Sequence, residues 1–443
     1  QVFIDEANNA ETLEIIKGKV YEIIVDGKNK KLNKRVKKEL ESLRFSHLNI
    51  NTIENKLRYL NLIDEIKVIK GKITKLGGDL TKSTLRVSVI PIDYNWKGLL
   101  SFSNDGTSGS GNIKNTFNLK KKEFLLEYDS ININNIFQFS GTNLGKTSYS
   151  ISYSFPLTEK IDLINSFSRS NTKLIELVKP INSFETLNNS YIFSLKYNIE
   201  DSFKDRSSLY LTTNYSLSNN YLEDKQLPEY LQEILRKPTS TFISISWDRF
   251  KQEETFSIYS KLYFSQAIKE SIPKKQLQEL ESNDIHPEKA RAIGASVSLY
   301  RPFTNSIAAS INLGGQHALN PLIQTMKFGL GSDQGLFGTP SQIISGDSGW
   351  NTSLSLRIKT LKNKRSSFYI TPFIGIGSVA SRFSARHEID NIGSTGILLS
   401  QKNKKFSNEI GLTKTFWTEN NKDGIWDKWD LGHGVYYKTT FFF

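Results

Sequence analysis

Val435-Tyr436-Tyr437-Lys438-Thr439-Thr440-Phe441-Phe442-Phe443 ends the 443-residue chain. Successive side chains of an extended backbone point to opposite sides, so Val435, Tyr437, Thr439, Phe441 and Phe443 share one face of a strand. A last amphipathic strand with an aromatic carboxy-terminal residue is how bacterial outer-membrane barrels close. The same two-residue period runs back through most of the sequence. Tyr149, Ile151, Tyr153 and Phe155 alternate with Ser148, Ser150, Ser152 and Ser154, which leaves one wall wet and the other greasy. Further apolar faces are Tyr191 to Ile199, Leu209 to Leu217, Phe256 to Phe264, Ile293 to Leu299, Ile307 to Leu313 and Leu354 to Ile358.

Hydropathy does not reveal such a membrane protein, because only every second residue meets lipid. No uncharged run approaches the roughly 18 to 20 apolar residues of a spanning helix. From Trp96 onward, some 350 residues at about 20 to 22 per strand and connection predict about sixteen strands, an even number. A soluble β-sandwich also alternates, but the aromatic-rich apolar faces, the Ser/Thr/Asn-rich opposite faces and the terminal Phe favour the membrane barrel. Two charged, proline-bearing stretches, Leu222 to Pro238 and Ile268 to Lys289, read as long outward loops or helical excursions.

The front of the chain has a different period. Lys19 to Val25 reads as a strand stopped by Asp26-Gly27. A helix with its apolar stripe at Leu32, Val36, Leu40 and Leu43 follows. A second helix starts at Asn51, with Glu54 completing a capping-box-like start, and Ile53, Leu57 and Leu60 give it a core side. Strands near Ile66 to Ile73 and Thr84 to Ile90 are joined through Gly77-Gly78. The expected organisation is therefore mostly β: a small α+β domain over residues 1–92, then an antiparallel transmembrane barrel over 93–443.

The net charge of +13 could signal nucleic acid. Its densest cluster, Lys28 to Lys38, is the solvated face of the first helix and has no interleaved aromatics, so no nucleic-acid partner is expected. Cysteine is absent, which removes disulfides, thiolate metal sites and cysteine nucleophiles. No signal segment opens the sequence at Gln1. Gly346-Asp347-Ser348-Gly349 resembles the surroundings of a protease serine. None of His47, His286, His317, His387 and His433 stands in a context that would supply its base, so no catalytic residue is expected. Glu419, Asn421, Asp423, Gly424 and Asp430 fall on the spacing of a calcium loop, but their flanks are strands and the first ligand is Glu. A polar loop accounts for them, and no metal or other cofactor is expected. No phosphate-binding glycine loop occurs.

Specific stretches carry a family resemblance. Leu13-Glu-Ile-Ile-Lys-Gly-Lys-Val-Tyr-Glu-Ile-Ile-Val-Asp-Gly27 is similar to the opening of the second polypeptide-transport-associated (POTRA) domain of two-partner secretion transporters, the exporters of haemolysins and filamentous adhesins. Trp96-Lys-Gly-Leu-Leu-Ser-Phe-Ser-Asn-Asp-Gly106 and Tyr149 to Leu157 resemble early strands of their barrel, with Ser103 where Asp is common. Most specific are Gly315-Gln316, Phe328-Gly-Leu-Gly331 and Ser345-Gly-Asp-Ser-Gly-Trp350, which in the family bracket a long loop folded into the pore.

The resemblance implies an inward loop over about 319–350, with gating residues Gly329, Gly331, Leu336, Phe337, Gly338 and Asp347. It also implies a lumen strand carrying Phe373, Gly375 and Gly377. The family's Val-Arg-Gly-Tyr motif reads Leu336-Phe337-Gly338-Thr339 here, so the arginine is gone. Its aspartate partner, in a Phe-x-Asp-x-Gly pattern, is replaced by Gly375. Losing one member of a buried pair costs about 3 to 5 kcal/mol, whereas losing both can be near neutral. Packing of Phe337 near Phe373 is the expected substitute.

The implied function is export of a large unfolded secreted protein across an outer membrane without ATP, the amino-terminal domain standing in the periplasm. An extended client could add as a strand to the domain's edge at Ile66, Val68, Lys70 and Lys72. The expected partners are that polypeptide and outer-membrane lipid or lipopolysaccharide, and a monomer is expected. The alternatives are a barrel insertase of the same superfamily, a passive porin, for which the small domain has no use, and a soluble adhesion protein.

Overall fold

The computed structural model describes the chain except residues 1, 5–12, 16–17, 62, 64, 93–95, 108, 175–183, 224, 227–238, 254, 269–272, 283–285, 342, 363–365, 382–387 and 418–433. The Glu419 to Asp430 stretch, read as a polar loop, and most of 222–238 lie outside the described residues. The chain divides into two compact units, one of Gln1–Asn95 with Glu200–Asp205, the other of Trp96–Ile199 with Arg206–Phe443.

In the first unit, β1 (Val2–Ile4) and β2 (Leu13–Ile15) form an antiparallel ribbon. Strand β3 (Lys19–Asp26), helices α1 (Lys30–Leu40) and α2 (Ile50–Asn61), and strands β4 (Ile66–Leu76) and β5 (Asp79–Pro91) follow. The sheet order is β3-β5-β4, with β5 parallel to β3 and antiparallel to β4. The stripe read from sequence is the core: Leu32, Val36, Leu40 and Leu43 pack with Val20, Ile23, Ile53, Leu60, Leu85 and Val87. Asn29 caps α1 by accepting the Leu32 N–H at 2.8 Å. The expected cap of α2 is corrected. Asn49 accepts the Thr52 N–H at 3.2 Å, two residues before Asn51. Glu54 turns outward to Arg58 at 3.4 Å, one helical turn on.

The second unit is a closed antiparallel barrel of sixteen strands. They are β6 (Lys97–Ser103), β7 (Ile113–Lys122), β8 (Ser130–Ser140), β9 (Asn143–Pro156), β10 (Ile161–Leu174), β11 (Phe184–Asp201), β12 (Asp205–Leu222) and β13 (Thr239–Gln252). The other half comprises β14 (Ser257–Ala267), β15 (Arg291–Pro302), β16 (Ile307–Ala318), β17 (Ser348–Lys362), β18 (Ser367–Ser381), β19 (Glu388–Lys402), β20 (Phe406–Phe416) and β21 (Val435–Phe442). A two-residue piece, Lys225–Gln226, pairs back on β12. The ring closes where β21 pairs with β6.

The greasy faces point out: Tyr149, Ile151, Tyr191, Phe193, Leu209, Leu211, Leu262, Leu313 and Leu354 are exposed, as a lipid-facing belt requires. The interior buries hydroxyls and amides instead, among them Ser190, Ser194, Asn198, Ser208, Ser216, Ser265 and Ser353. On β21, Val435, Tyr437 and Phe441 are exposed, but Thr439 is covered, its hydroxyl donating to Asn408 Oδ1 at 3.0 Å and lying 2.7 Å from the Tyr437 hydroxyl. The terminal Phe443 exchanges both backbone hydrogen bonds with Gly98, at 2.7 and 3.0 Å, and stacks on Phe117 at 6.2 Å. Helix α3 (Lys274–Ser282) lies within the Ile268 to Lys289 stretch, which reads from sequence as a long outward loop or a helical excursion.

Candidate functional site

The connection between β16 and β17, residues 319–347, folds against the inner wall of the barrel. It ends at 347 rather than 350, because Ser348 already belongs to β17. At its root Gln316 spends every polar atom on holding the chain. Its Nε2 donates to the carbonyls of Met326 and Asp347, both at 2.9 Å, and its Oε1 accepts from the Tyr263 hydroxyl at 2.7 Å. Asp347 is buried and accepts the Leu322 N–H at 3.2 Å, while the neighbouring Ser348 Oγ accepts from the Ala318 N–H at 3.0 Å. The Gly-Asp-Ser-Gly stretch is thus a structural staple.

Above the root, Phe328–Leu330 pairs with Ile344–Gly346 in a short ribbon that contains Gly329. Gly331 follows in extended backbone. Leu330, Leu336, Ile343 and Ile344 pack with Val379 and Ile392 of the wall. The tip then reaches across several strands. Phe337 meets Phe373 edge-on at 5.3 Å, and lies 6.5 Å from Tyr436. Gly338 adopts φ +87°, and a Cβ there would lie 2.4 Å from Thr413, so both its conformation and its space call for glycine. A Cβ on Gly375 would lie 2.9 Å from Leu336 Cδ2 and 3.1 Å from the Gly335 carbonyl, and one on Gly377 would lie 2.9 Å from Leu330 Cδ1. The position where the family carries an aspartate is therefore filled by the loop itself. Gly331 apart, the sequence-predicted loop and strand residues come together here; Asp347 does so at the root, away from the tip.

Sequence reasoning missed the polar half of the site. Asp105, in the β6–β7 connection, is buried under the loop. Its carboxylate accepts from Ser103 Oγ at 2.6 Å and Ser332 Oγ at 3.1 Å, and lies 3.4 Å from Lys114 Nζ. Its carbonyl takes the Ser341 N–H and hydroxyl at 3.2 and 2.8 Å. Lys114 also donates to Ser341 Oγ at 2.8 Å and lies 3.5 Å from Asp333. Burial pushes the Asp105 carboxyl up, but Lys114, the two hydroxyls and Lys438 outweigh it and hold it below the usual carboxylate range. This is an ionic latch on different strands from the one the resemblance implies. The signal available in sequence was Asp105 itself, two residues beyond Ser103, where the resemblance expects an aspartate.

The lumen beside the loop is lined largely by polar side chains. A cavity of about 480 Å³ is lined by Ser296, Ser298, Asn312, Gln334 and Asn351 with Phe337. A second of about 390 Å³ is lined by Tyr210, Ser244, Asp248, Tyr259 and Lys261. In the small domain β4 is an edge strand of its sheet, with Lys70 and Lys72 exposed and Val68 half-buried. Ile66, at the start of that strand, is 3% exposed and packs its side chain into the core. Among the described residues, one group offers metal-ligand types at ligand spacing, Glu281, His286 and Glu288 in the β14–β15 connection.

No curated protein sequence matches the chain. Among solved structures, the whole chain aligns with 80% of CdiB from Escherichia coli at 15% identity and a TM-score of 0.70. It aligns with 78% of CdiB from Acinetobacter baumannii at 15% identity and 0.65. BamA from Haemophilus ducreyi, lacking its POTRA domains 1–3, shares the fold at 11% identity and 0.56, with 89% of that chain covered. The model of the family described as haemolysin secretion/activation protein ShlB/FhaC/HecB matches residues 81–397, well over half of the sequence. With its sixteen-strand barrel, the chain belongs to this family of two-partner secretion transporters of the outer membrane.

Proposed function

We propose that the barrel lumen conducts one unfolded secreted partner polypeptide, and that the inward loop is a plug displaced to open it. The observation that supports this reading is the way the loop is seated. A compact apolar cluster around Leu330 and Leu336, one aromatic contact and one latch of exchangeable hydrogen bonds hold it, on a wall otherwise lined by water-compatible side chains. Unfolded backbone carries its own donors and acceptors, which a Ser/Asn/Tyr lining can meet without demanding sequence.

The connections at the end where β6 begins and β21 finishes are short, the longest being 123–129. Those at the opposite end include 223–238, 268–290, 319–347 and 417–434. Bacterial barrels keep short turns in the periplasm and long loops outside, which supports a periplasmic location for the start of β6 and for the domain that precedes it in sequence. There the free edge of β4 offers a client backbone pairing, with Lys70 and Lys72 alongside. Folding of the client outside prevents its return, so no nucleotide is needed. The outer belt meets lipid and lipopolysaccharide, and one chain encloses one lumen.

The test is single-channel conductance of the refolded chain beside a version with Asp333 to Ser345 deleted. Small flickering steps that become large and steady on deletion are expected. Equal open conductance in the two would mean a permanently open porin and would refute the plug. The proteins in the culture medium, compared with and without the gene, then identify the client as the large species that disappears.

A further inference from the structure

The β14–β15 connection holds a second arrangement of chemical groups, independent of the pore reading. Helix α3 ends at Ser282, and a 3-10 turn, Pro287–Lys289, leads into β15. Glu281 in the last turn of the helix, His286 before the 3-10 turn and Glu288 inside it bring their ligand atoms within 4.8 Å of one another. His286 Nδ1 lies 3.3 Å from Glu288 Oε1. Two donors on a tetrahedral zinc, each bonded at about 2.0 to 2.1 Å, stand about 3.4 Å apart. This pair therefore already has the spacing of two corners of such a site.

The second observation concerns Glu288 alone. Its side chain is only 10% exposed, and its other oxygen, Oε2, is buried with no hydrogen-bond partner. A carboxylate oxygen withdrawn from water without a donor is costly, and a bound cation supplies the missing partner. Pro287 lies between the two ligands with its φ fixed by the ring, which holds their backbone ahead of binding.

We propose that Glu281, His286 and Glu288 bind one divalent cation of the zinc class through an imidazole nitrogen and two carboxylates, with water in the remaining position. The nitrogen ligand selects against calcium and magnesium, which prefer all-oxygen shells. The cation would clasp the end of α3 to the turn that enters β15. Ala290 and Ala292 of that segment share an apolar cluster with Leu322 and Met326 at the root of the inward loop. The clasp thus stiffens the wall on which the loop is rooted.

The test titrates ZnCl2 into the refolded full chain by calorimetry, and CoCl2 by visible absorption. Equimolar Zn²⁺ binding is expected, with cobalt bands of a tetrahedral N/O site. His286→Ala and Glu288→Gln should each weaken Zn²⁺ binding at least tenfold, while Glu253→Gln, on the far end of the barrel, leaves it unchanged. Heat-modifiable migration confirms that each variant is folded. Binding that is absent in the wild-type chain, equal in all the variants, or matched by CaCl2 would overturn the assignment.

Discussion

Gly375 shows how far one position can be read. From sequence it marks a lost aspartate and, with Phe337 in place of arginine, a lost ion pair; the structure adds that Leu336 and the Gly335 carbonyl occupy the space. Restoring the acid as Gly375→Asp should therefore open the pore. Overpacking alone costs about 1 to 3 kcal/mol, and the carboxylate arrives without its arginine. The expected result is larger, longer-lived conductance steps; wild-type gating would show that the loop does not rest on this residue. The pairing of Asp105 was the unreadable half, because its partner Ser332 is 227 residues away and nothing local in either segment announces the contact. Lys114→Met should leave the buried Asp105 uncompensated and cost the seated loop about 2 kcal/mol, less than a fully buried pair because Lys114 keeps some solvent contact. Lys114→Met with Asp105→Asn should cost less than the lysine change alone, and additive effects in that cycle would count against the latch. The pH dependence has a fixed sign. The seated carboxyl is held below its ordinary value of about 3.9, so its contribution is complete above that pH and is lost as pH falls through the lowered pKa. Open probability should stay flat from about pH 5 to 8 and rise only in stronger acid.

At the scale of elements, alternation was enough to place the walls. Ser148 to Phe155 sorts into two faces by a period of two, and the fold needs no more than that to decide which side meets lipid. Connections carry no such period, so their structure was the part that could not be read. The turn 123–129 is an example, a run of Glu, Phe, Leu and Tyr that looks like nothing in particular. Its order comes from Asp129, whose buried carboxylate accepts the N–H groups of Phe124 at 2.5 Å, Leu125 and Leu126 at 2.9 Å, and the Tyr153 hydroxyl at 2.6 Å. Burial raises this carboxyl, but the four donors together hold it below the usual range. Asp129→Ala leaves buried donors unmet, and the loss of charge-assisted bonds should cost about 3 kcal/mol. Urea unfolding in detergent should show the lower midpoint. Asp129→Asn should recover part of it, since one oxygen can still accept; an alanine variant as stable as wild type would mean that water serves these donors equally well. The cap of α2 was misplaced for a related reason. Asn49 and Asn51 are both good caps by type, and only the backbone geometry at the helix start distinguishes them.

On the scale of the whole molecule, the question is whether cargo leaves through the lumen or through the wall. The fold is shared with BamA, and the β6–β21 seam is the place where the ring of strands closes. β21 pairs with β6 over only five residues, Lys438 to Phe442 against Ser103 to Leu99, whereas β10 and β11 pair over fourteen, Ile161 to Leu174. A short seam costs little to part, which an insertase needs and an exporter does not. Two facts argue that this seam stays shut during export. The latch residues Asp105 and Lys114 adjoin β6 and lie on β7, so parting β6 from β21 would disturb the loop's own anchor. Phe443 also adds two backbone hydrogen bonds with Gly98 beyond the paired strands. The chain has no cysteine, so the question has a clean experiment. Ser101 and Thr440 stand opposite each other, their hydroxyl oxygens 3.1 Å apart, and facing residues of antiparallel strands have Cα separations that a disulfide can span. Ser101→Cys with Thr440→Cys, oxidised after assembly, should lock the seam and leave secretion of the client at its reduced level. A locked barrel that no longer secretes, but recovers on reduction, would move the exit from the lumen to the wall.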